Sequence, residues 1–170
     1  MTSNRQHRKA FSNLIEKHQG IIHKITYLYT NTKADRQDLF QEICLQLWKS
    51  YASFREEAGF NTWMYRVALN TAINNIRKNK KGLVYEALKD NYIPQDSADD
   101  KEHVKLLYQS ISKLNRIDKA IILLWLEEKN YEEIASIMGI TKSNISVKLV
   151  RIKRKLEELI NNRNKQHHGR

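Results

Sequence analysis

Apolar residues recur along this chain of 170 residues at the spacing of three and four positions that places side chains on one face of an α-helix. Only five glycines and one proline interrupt the pattern, and β-branched residues rarely alternate with polar ones as they would in a strand. The pattern therefore predicts an all-α protein. Three stretches carry the repeat most clearly: Leu14, Ile15, Ile21, Ile22 and Ile25; Leu39, Ile43 and Leu47; and Val104, Leu107, Ile111 and Leu114.

A polar, acidic segment interrupts the helical pattern over residues 82–102. It holds four aspartates and few large apolar side chains. The blocks on either side are basic, since residues 61–85 and 142–156 contain no Asp or Glu. This segregation of charge predicts two small helical domains, residues 1–81 and 103–170, joined by an acidic linker that would not adhere to DNA. An acidic surface loop within a single domain is the alternative interpretation.

The composition indicates a polyanionic partner. The formal net charge is +11, and Lys and Arg that neutralise phosphates release condensed counterions. A membrane surface would attract the same charge. However, no apolar run approaches the roughly 20 residues that span a bilayer, and the N-terminal residues lack the apolar core of a signal peptide. We therefore expect a cytoplasmic protein without membrane insertion.

Cys44 is the only cysteine, so an internal disulfide is impossible and a zinc site built on cysteines is excluded. Its position between Phe40 and Trp48 on one helical face predicts a small buried apolar side chain, with a redox switch as the alternative. The six histidines form neither a Glu-x-x-His nor a His-x-x-x-His pair. We expect no metal site and no cofactor.

The last third of the chain has capping and turn residues at the spacing of a helix-turn-helix. Asn130 can cap a helix, and Glu133 stands at the third helical position, from which it can complete a capping box. Gly139 supplies the turn between the helices, and Thr141 is a natural N-cap for the second helix. Three residues of the first helix are predicted to face inward: Ile134, Ala135 and Met138.

The second of these helices is predicted to pack along one stripe and to leave the opposite face free for DNA. The packing stripe consists of Ile145, Leu149, Ile152 and Leu156. The opposite face consists of Ser143, Asn144, Val147, Arg151 and Arg154. The N-terminal residues of a recognition helix usually reach base edges, here with Lys142 in the first turn, and arginines further on suit phosphates or guanine. Residues 142–156 hold six basic residues and no acid, which favours this reading over an ordinary helical hairpin with a solvated face.

Asp35, Asp38 and Glu42 fall on one helical surface because they are spaced by three and four residues. Grouped carboxylates can bind a metal for hydrolysis, so a metal-dependent nuclease is one hypothesis. We do not favour it, since no histidine or second acidic helix completes a coordination sphere. An acidic, partly apolar face that includes Leu39 and Gln41 better suits docking on a basic partner protein. A solvated acidic surface without a partner is the third possibility.

Residues 60–81 read FNTWMYRVALNTAINNIRKNKK and combine rings, amides and a basic end on one predicted helix. Rings can stack on exposed bases, an amide can read a base edge and cations can follow phosphates, so this helix suits single-stranded nucleic acid. We expect at least half of six nearby rings to be buried for packing: Trp48, Tyr51, Phe54, Phe60, Trp63 and Tyr65. The polar residues that follow, with no acid among them, are Arg66, Asn70, Arg77, Lys78, Lys80 and Lys81.

Four blocks carry a resemblance to a known family: Asp-Leu-Phe-Gln-Glu at 38–42, the pair Phe54-Arg55, the run 60–70 and the block 131–156. Together they resemble a bacterial sigma factor of the small extracytoplasmic-function group of the sigma-70 family. The resemblance covers roughly residues 10–81 and 103–160, in the family's order and spacing. A helix-turn-helix alone occurs in many regulators, whereas its combination with the upstream blocks is highly specific.

This resemblance implies a transcription initiation factor, not an enzyme, with two helical domains on a flexible linker. By similarity, five residues would dock on the clamp helices of the largest subunit of core RNA polymerase: Asp35, Asp38, Leu39, Gln41 and Glu42. Asn70, in the motif that runs from Arg66 to Asn70, would help read an extruded base of the downstream promoter element. Phe54 would lie near the base pocket, and Arg77 and Lys78 would hold the strand backbone. Extrusion of a base costs a few kcal/mol, which stacking and base-edge contacts must recover.

The C-terminal module would bind the upstream promoter element as a duplex, in the major groove. Seven residues are implied: Lys142, Ser143, Asn144, Val147, Lys148, Arg151 and Arg154. Where family members commonly carry Gly-Thr-Val-(Lys/Arg)-Ser-Arg, residues 143–148 read SNISVK. Ser146 and Val147 remove a base contact by a long cation and allow contact with a thymine methyl. An anti-sigma partner is expected because family members are often sequestered. The competing hypothesis is a stand-alone helix-turn-helix regulator with an N-terminal sensing or dimerisation domain.

Overall fold

The computed structural model of the protein describes residues 2–55, 59–79 and 100–167, with side chains for residues 5–55, 59–75 and 103–162. Every regular element in these ranges is an α-helix. The chain divides into two compact units, Met1–Ala87 (unit 1) and Leu88–Arg170 (unit 2). The prediction of an all-α fold is therefore confirmed.

The described part contains three helices in unit 1 and four in unit 2. Those of unit 1 are α1 (Thr2–Tyr29), α2 (Lys33–Tyr51) and α3 (Phe60–Asn79). Those of unit 2 are α4 (Asp100–Ile111), α5 (Arg116–Leu126), α6 (Tyr131–Met138) and α7 (Lys142–His167). Within the described ranges, none of the helices combines the length and the apolar character needed to cross a membrane.

The three helices of unit 1 pack against one another around a shared core. The largest fully buried side chains of this core are Ile22, Ile25, Leu39, Ile43, Leu47, Met64 and Leu69. The predicted stripe of α2 is thus confirmed. Thr32 fixes the start of α2, because its hydroxyl accepts a hydrogen bond from the Asp35 amide at 3.1 Å and donates one to the Asp35 carboxylate at 2.7 Å.

Helix α5 forms the centre of unit 2, since residues 120–124 are all buried. A helix buried on every side must be covered by its neighbours, and α6 and α7 pack against it while α4 packs on α7. Asn115 caps α5 by accepting hydrogen bonds from two backbone amides of its first turn, at 3.1 and 2.9 Å. Of the predicted α4 stripe, Ile111 and the following Leu114 are buried, whereas Val104 and Leu107 are half-buried.

The predicted linker over residues 82–102 falls largely outside the described residues. Helix α4 begins at Asp100, within the last three residues of the predicted linker. Acidic residues are favoured at helix N-termini by the helix dipole, so acidic composition alone does not separate a linker from the first turn of a helix. The existence of the linker itself stays a prediction.

Cys44 is half-buried on α2. Burial raises the pKa of its thiol, and a higher pKa leaves less of the reactive thiolate at neutral pH. Phe40 and Trp48, one turn to either side, are also half-buried. These observations favour the packing role of Cys44 over a redox switch, although the side chain is less deeply buried than expected.

Candidate nucleic-acid interfaces

The first helix of the helix-turn-helix is held at its start by a complete capping box. The Glu133 amide donates to Asn130 Oδ1 at 2.9 Å, and the Asn130 amide donates to Glu133 Oε2 at 2.9 Å. Two backbone donors that the helix leaves unpaired are thereby satisfied. The box was predicted from the spacing of these two residues, and the structure confirms it.

The turn between α6 and α7 has the predicted geometry. Gly139 lies in the left-handed region at φ 68°, and its amide donates to the Ala135 carbonyl at 2.9 Å. Glycine is favoured there because a Cβ would be strained. Thr141 then caps α7, since its hydroxyl accepts a hydrogen bond from the Asn144 amide at 3.2 Å.

The inward face of α6 differs from the prediction. Ile134 is fully buried as expected, but its partner in the core is Ile137, which is 4% exposed. Ala135 and Met138 are only half-buried. Helix α6 has eight residues and buries a narrow stripe. Ile137, three positions after Ile134, lies on that stripe, whereas the prediction had placed Ala135 and Met138 there.

The two faces of α7 are arranged as predicted. The packing stripe is buried: Ile145, Leu149, Ile152 and Leu156. The side chains predicted to face DNA are exposed, apart from the half-buried Lys148: Lys142, Ser143, Asn144, Val147, Arg151 and Arg154. Val150 is also exposed on this face, at 68%, although it was not among the predicted residues; it lies one turn after Val147, itself 51% exposed. Val147 and Val150 are two apolar residues three positions apart on the face opposite the packing stripe, and this spacing in the sequence could have identified Val150 as an exposed apolar side chain.

Lys142, at the start of α7, is paired with Glu132 of α6. Its ammonium group donates a hydrogen bond to the Glu132 carboxylate, and this bond lowers the pKa of Glu132. Both side chains are mostly exposed, so the pair contributes little to stability. A phosphate that binds Lys142 must compete with this carboxylate.

In unit 1, three of the predicted site residues, Asp38, Glu42 and Asn70, line one groove between α2 and α3, here termed the α2–α3 groove. It encloses about 750 Å³, and its described lining is Asp38, Glu42, Gln46, Ser50, Val67, Asn70, Thr71, Asn74 and Asn75. Asn70 is exposed in this groove. The structure therefore brings the residue predicted to read a base together with two of the carboxylates predicted to face a protein.

The other members of the predicted acidic face lie elsewhere. Asp35 is exposed but engaged in the cap of α2, and Gln41 is exposed on the surface. Leu39 is 2% exposed, so its prediction as a contact residue is wrong in this structure. Leu39 belongs to the same stripe as Ile43 and Leu47, and the packing of α2 on its neighbours buries that stripe.

Six rings near the junction of α2 and α3 form a connected group, the ring cluster: Phe11, Trp48, Tyr51, Phe54, Phe60 and Trp63. Phe54 lies 4.9 Å from Trp63 and 5.8 Å from Phe60, measured between ring centroids. Phe11 of α1 lies 5.0 Å from Trp48. Contacts of this kind fix the segment that carries Phe54 between the two helices.

The expectation that at least half of the six nearby rings are buried is wrong. Only Tyr65 is buried, at 3% exposure, while Trp48, Tyr51, Phe54, Phe60 and Trp63 are half-buried. The five half-buried rings contact one another or Phe11 in tilted or edge-on arrangements, and each stays partly accessible. Half-exposed rings suit the stacking of bases better than buried ones do.

Arg77 and Lys78 were predicted to bind the backbone of the DNA strand. The helical backbone of α3 includes both residues, but their side chains lie outside the described residues. Arg66, which is described, is exposed on α3. Among the described residues, no group of three or more His, Cys, Asp or Glu side chains could hold a metal ion, so the nuclease hypothesis gains no support from them.

Comparison with protein families gives two matches. Residues 14–82 match the family model described as Sigma-70 region 2, and residues 105–156 match the model described as Sigma-70, region 4. The two matches span most of the chain. They coincide with the two stretches, 10–81 and 103–160, that carry the sequence resemblance.

Curated relatives match nearly the whole chain. The ECF RNA polymerase sigma-E factor of Haemophilus influenzae is 29% identical over 168 residues, which cover 90% of this chain and 88% of the relative. The ECF RNA polymerase sigma factor SigW of Bacillus subtilis is 24% identical over 157 residues, which cover 84% of each chain.

Two solved structures have a similar fold. The sigma factor RpoE of Bartonella quintana, in a co-crystal with the anti-sigma factor NepR, aligns with a TM-score of 0.72 at 19% identity, covering 90% of this chain and 98% of that one. CnrH, in complex with the cytosolic domain of CnrY, aligns with a TM-score of 0.66 at 17% identity, covering 91% and 90% of the two chains.

Proposed function

Because the chain belongs to the sigma-70 family and is a transcription initiation factor of its extracytoplasmic-function group, we propose a separate role for each of its two units. Unit 1 docks on core RNA polymerase and captures unpaired bases of the downstream promoter element. Unit 2 binds the upstream element as a duplex. The observation that carries this proposal is the presence of both matched regions, in order, in one chain.

The surface of unit 1 supports base capture. Asn70 is exposed in the α2–α3 groove, where its amide can pair with a base edge. Phe54 and its neighbours in the ring cluster are half-exposed, and each stacked base is worth about 1–3 kcal/mol. This is enough to offset the few kcal/mol that extrusion of one base costs.

The surface of unit 2 supports duplex binding. Residues 142–156 of α7 carry six cations and no carboxylate, and the DNA-facing side chains project from a helix whose other face is buried. Arg151 and Arg154 suit guanine or phosphate, and the exposed pair Val147 and Val150 suits a thymine methyl. Two modest contacts in one chain yield avidity when the two elements lie at the right spacing.

We further propose that the chain acts without chemistry of its own, in the cytoplasm, where the polymerase works. Asp38, Gln41 and Glu42 on α2 are the residues that we assign to the clamp helices of the polymerase. An anti-sigma partner is part of the proposal, because the similar sigma factor RpoE was solved in complex with the anti-sigma factor NepR, and CnrH in complex with the cytosolic domain of CnrY. The stand-alone regulator is not favoured, because residues 14–82 match Sigma-70 region 2.

Reconstitution with core RNA polymerase tests the proposal. The full-length chain, mixed with core enzyme and a promoter library, should co-purify with core and produce transcripts from a subset of promoters that share two spaced elements. Core enzyme without the chain is the control. If the chain neither co-purifies with core nor changes which promoters are transcribed, the proposed function is wrong. Tight binding to a duplex operator without polymerase would instead revive the regulator hypothesis.

A further inference from the structure

Lys142 differs from the other cations near the start of α7. Residues 142–156 hold six basic side chains, and within the described part of the chain Lys142 is the one that pairs with a carboxylate, that of Glu132. Lys153 instead lies over the Trp125 ring, 3.9 Å from its centroid. The first basic residue of α7 therefore approaches DNA with an anion of its own chain already bound to it.

Two neighbouring glutamates of α6 have different partners. The carboxylate of Glu133 accepts from the Asn130 amide at 2.9 Å, as part of the capping box, and from Lys129 Nζ at 3.4 Å. Glu132 instead reaches across the turn to Lys142, which lies ten residues further along the chain. The hydrogen bond from Lys142 lowers the pKa of Glu132, so this carboxylate is charged at neutral pH.

The Glu132–Lys142 pair lies beside an open cleft next to the turn between α5 and α6. The cleft encloses about 550 Å³, and both side chains line it together with Glu128. The exposed fractions of the side chains are 59% for Lys142 and 65% for Glu132, so salt reaches the pair and a phosphate can displace the carboxylate. Glu128 has no ionic partner among the described residues, so it places the same charge in the cleft without the contact.

Counterion release gives this pairing a measurable consequence. A free lysine that binds a phosphate of duplex DNA releases about 0.9 of a condensed cation. A lysine that must first leave a carboxylate exposes that carboxylate, which then attracts a cation from solution, so the net release is close to zero. Glu132 would in this way cancel most of the sequence-independent attraction that Lys142 supplies.

Resting on the proposed function of unit 2, we propose that Glu132 is an internal competitor of DNA phosphate for Lys142 and thereby limits the sequence-independent affinity of unit 2 for duplex DNA. Glu132 then tunes promoter binding without touching DNA. Phosphates are the same at every site, so one phosphate contact fewer shortens the time that the protein spends on the large excess of other DNA. The base contacts further along α7 supply a correspondingly larger share of the binding free energy.

Salt titrations of DNA binding by reconstituted holoenzyme test the proposal. Affinity is measured over a series of KCl concentrations for a duplex that carries an upstream element selected by the wild type, and for a shuffled duplex. Glu132→Gln should make the slope of log affinity against log salt steeper by about 0.9 with both duplexes. A roughly fourfold rise in salt should then lower the affinity about 3.5-fold more than it does for the wild type.

The effect of Lys142→Gln should depend on Glu132. In the wild type, this substitution should change the slope by less than about 0.3, because the charge of Lys142 is already compensated. In the Glu132→Gln background, it should restore the wild-type slope. Both side chains are mostly exposed, and a double variant that binds DNA like the wild type would show that neither change disturbs the fold.

Glu128→Gln is the matched control, because it removes the same charge from the same cleft without breaking the pair. Its effect on affinity should be equal with and without Lys142. If the effect of Glu132→Gln is also equal with and without Lys142, only long-range charge is involved and the inference is overturned. Weaker DNA binding by Glu132→Gln overturns it as well, since Glu132 would then orient Lys142 on the DNA. So does a gain confined to the upstream-element duplex, which would assign Lys142 to a base.

Failure of this inference is distinguishable from failure of the proposed function. The competition by Glu132 is read from the shuffled duplex, where no base recognition is needed. Wild-type holoenzyme that binds the upstream-element duplex no better than the shuffled one would overturn the proposed role of unit 2. Equal salt slopes for the wild type and Glu132→Gln, together with a clear preference for the upstream element, would overturn the inference alone.

Discussion

The two candidate DNA surfaces of this protein are built in opposite ways. In unit 2, the candidate residues project from one face of a single helix, α7, whose other face is anchored in the core. In unit 1, the candidate Asn70 lies in a groove between two helices, with amides on the α3 side and carboxylates on the α2 side. A convex helix enters the major groove of an intact duplex, whereas a concave site accepts a base that has left the stack.

The contrast also concerns charge. Residues 142–156 of α7, which are proposed to bind DNA, include six basic residues and no acid, so they would attract any duplex and their binding would depend on salt. The described lining of the α2–α3 groove carries only negative charge, so it repels phosphates. Attraction for phosphates thus comes from α7 and not from the described lining of the groove, and each of the following variants should affect one unit without the other.

The largest effect is expected for Leu149→Ala, which removes a fully buried side chain from beneath the DNA-facing side of α7. The free energy of unfolding of unit 2 should fall by about 2–5 kcal/mol, from lost burial and the cavity left behind. Urea titration of the full-length chain measures it. Val150→Ala, at the adjacent exposed position, should change it by less than about 0.5 kcal/mol, and similar losses in both variants would contradict the assignment of the two faces.

Arg151→Ala should weaken binding of holoenzyme to the upstream element by about 1–3 kcal/mol if Arg151 reads a base. A competition assay between duplexes with and without the preferred base measures the loss. Asn162→Ala, an exposed position near the other end of α7, is the matched control and should have no effect. A loss that is uniform over all duplex sequences would assign Arg151 to the phosphates instead.

Asn70→Ala should slow promoter opening about tenfold, because an extruded base loses its amide partner, which corresponds to roughly 1.4 kcal/mol. Binding to core enzyme and to the duplex upstream element should be unchanged. Permanganate reactivity of unpaired thymines measures opening. A variant that loses core binding to the same extent as opening would indicate a folding defect of unit 1.

Asn130→Ala removes the capping box of α6 and should destabilise unit 2 by about 1 kcal/mol. The midpoint of urea unfolding reports the loss. Asn161→Ala, in the interior of α7, has no capping role and serves as the control. An unchanged midpoint in Asn130→Ala would mean that packing alone positions α6.

The smallest effect is expected for Glu128→Gly. Glu128 has φ 58° after α5, in a turn where the Lys129 amide donates to the Leu124 carbonyl at 3.1 Å. Side chains with a Cβ are strained there and glycine is not, so the substitution should stabilise unit 2 by about 0.5 kcal/mol after the entropy cost of glycine. A thermal melt measures the shift. Glu127→Gly, one residue earlier at φ −84°, should destabilise instead.

The surface of unit 2 was largely predictable from sequence because its signals are local. Asn130 and Glu133, Gly139 and Thr141 act within one turn of their own positions, and the stripe from Ile145 to Leu156 is a spacing within a single helix. The errors arose where packing chose between neighbours, as at Ile137.

The surface of unit 1 was less predictable because it depends on contacts between distant residues. The spacing within α2 placed Leu39 beside Asp38 and Glu42, but only the packing of three helices decides that Leu39 is buried and that the carboxylates face Asn70. In the same way, the rings from α1, α2 and α3 meet at one rim, which no single stretch of sequence specifies.

The basic stretch of α7 ends abruptly at Glu157 and Glu158, both exposed. A duplex lying lengthwise along the helix would bring its phosphates against these two carboxylates, whereas one that crosses near the N-terminal turns would avoid them. If α7 binds the duplex as proposed, the acidic pair would disfavour positions of the double helix further toward the C-terminus. The pair would thereby restrict the direction in which promoter DNA crosses α7, independently of any base that is read.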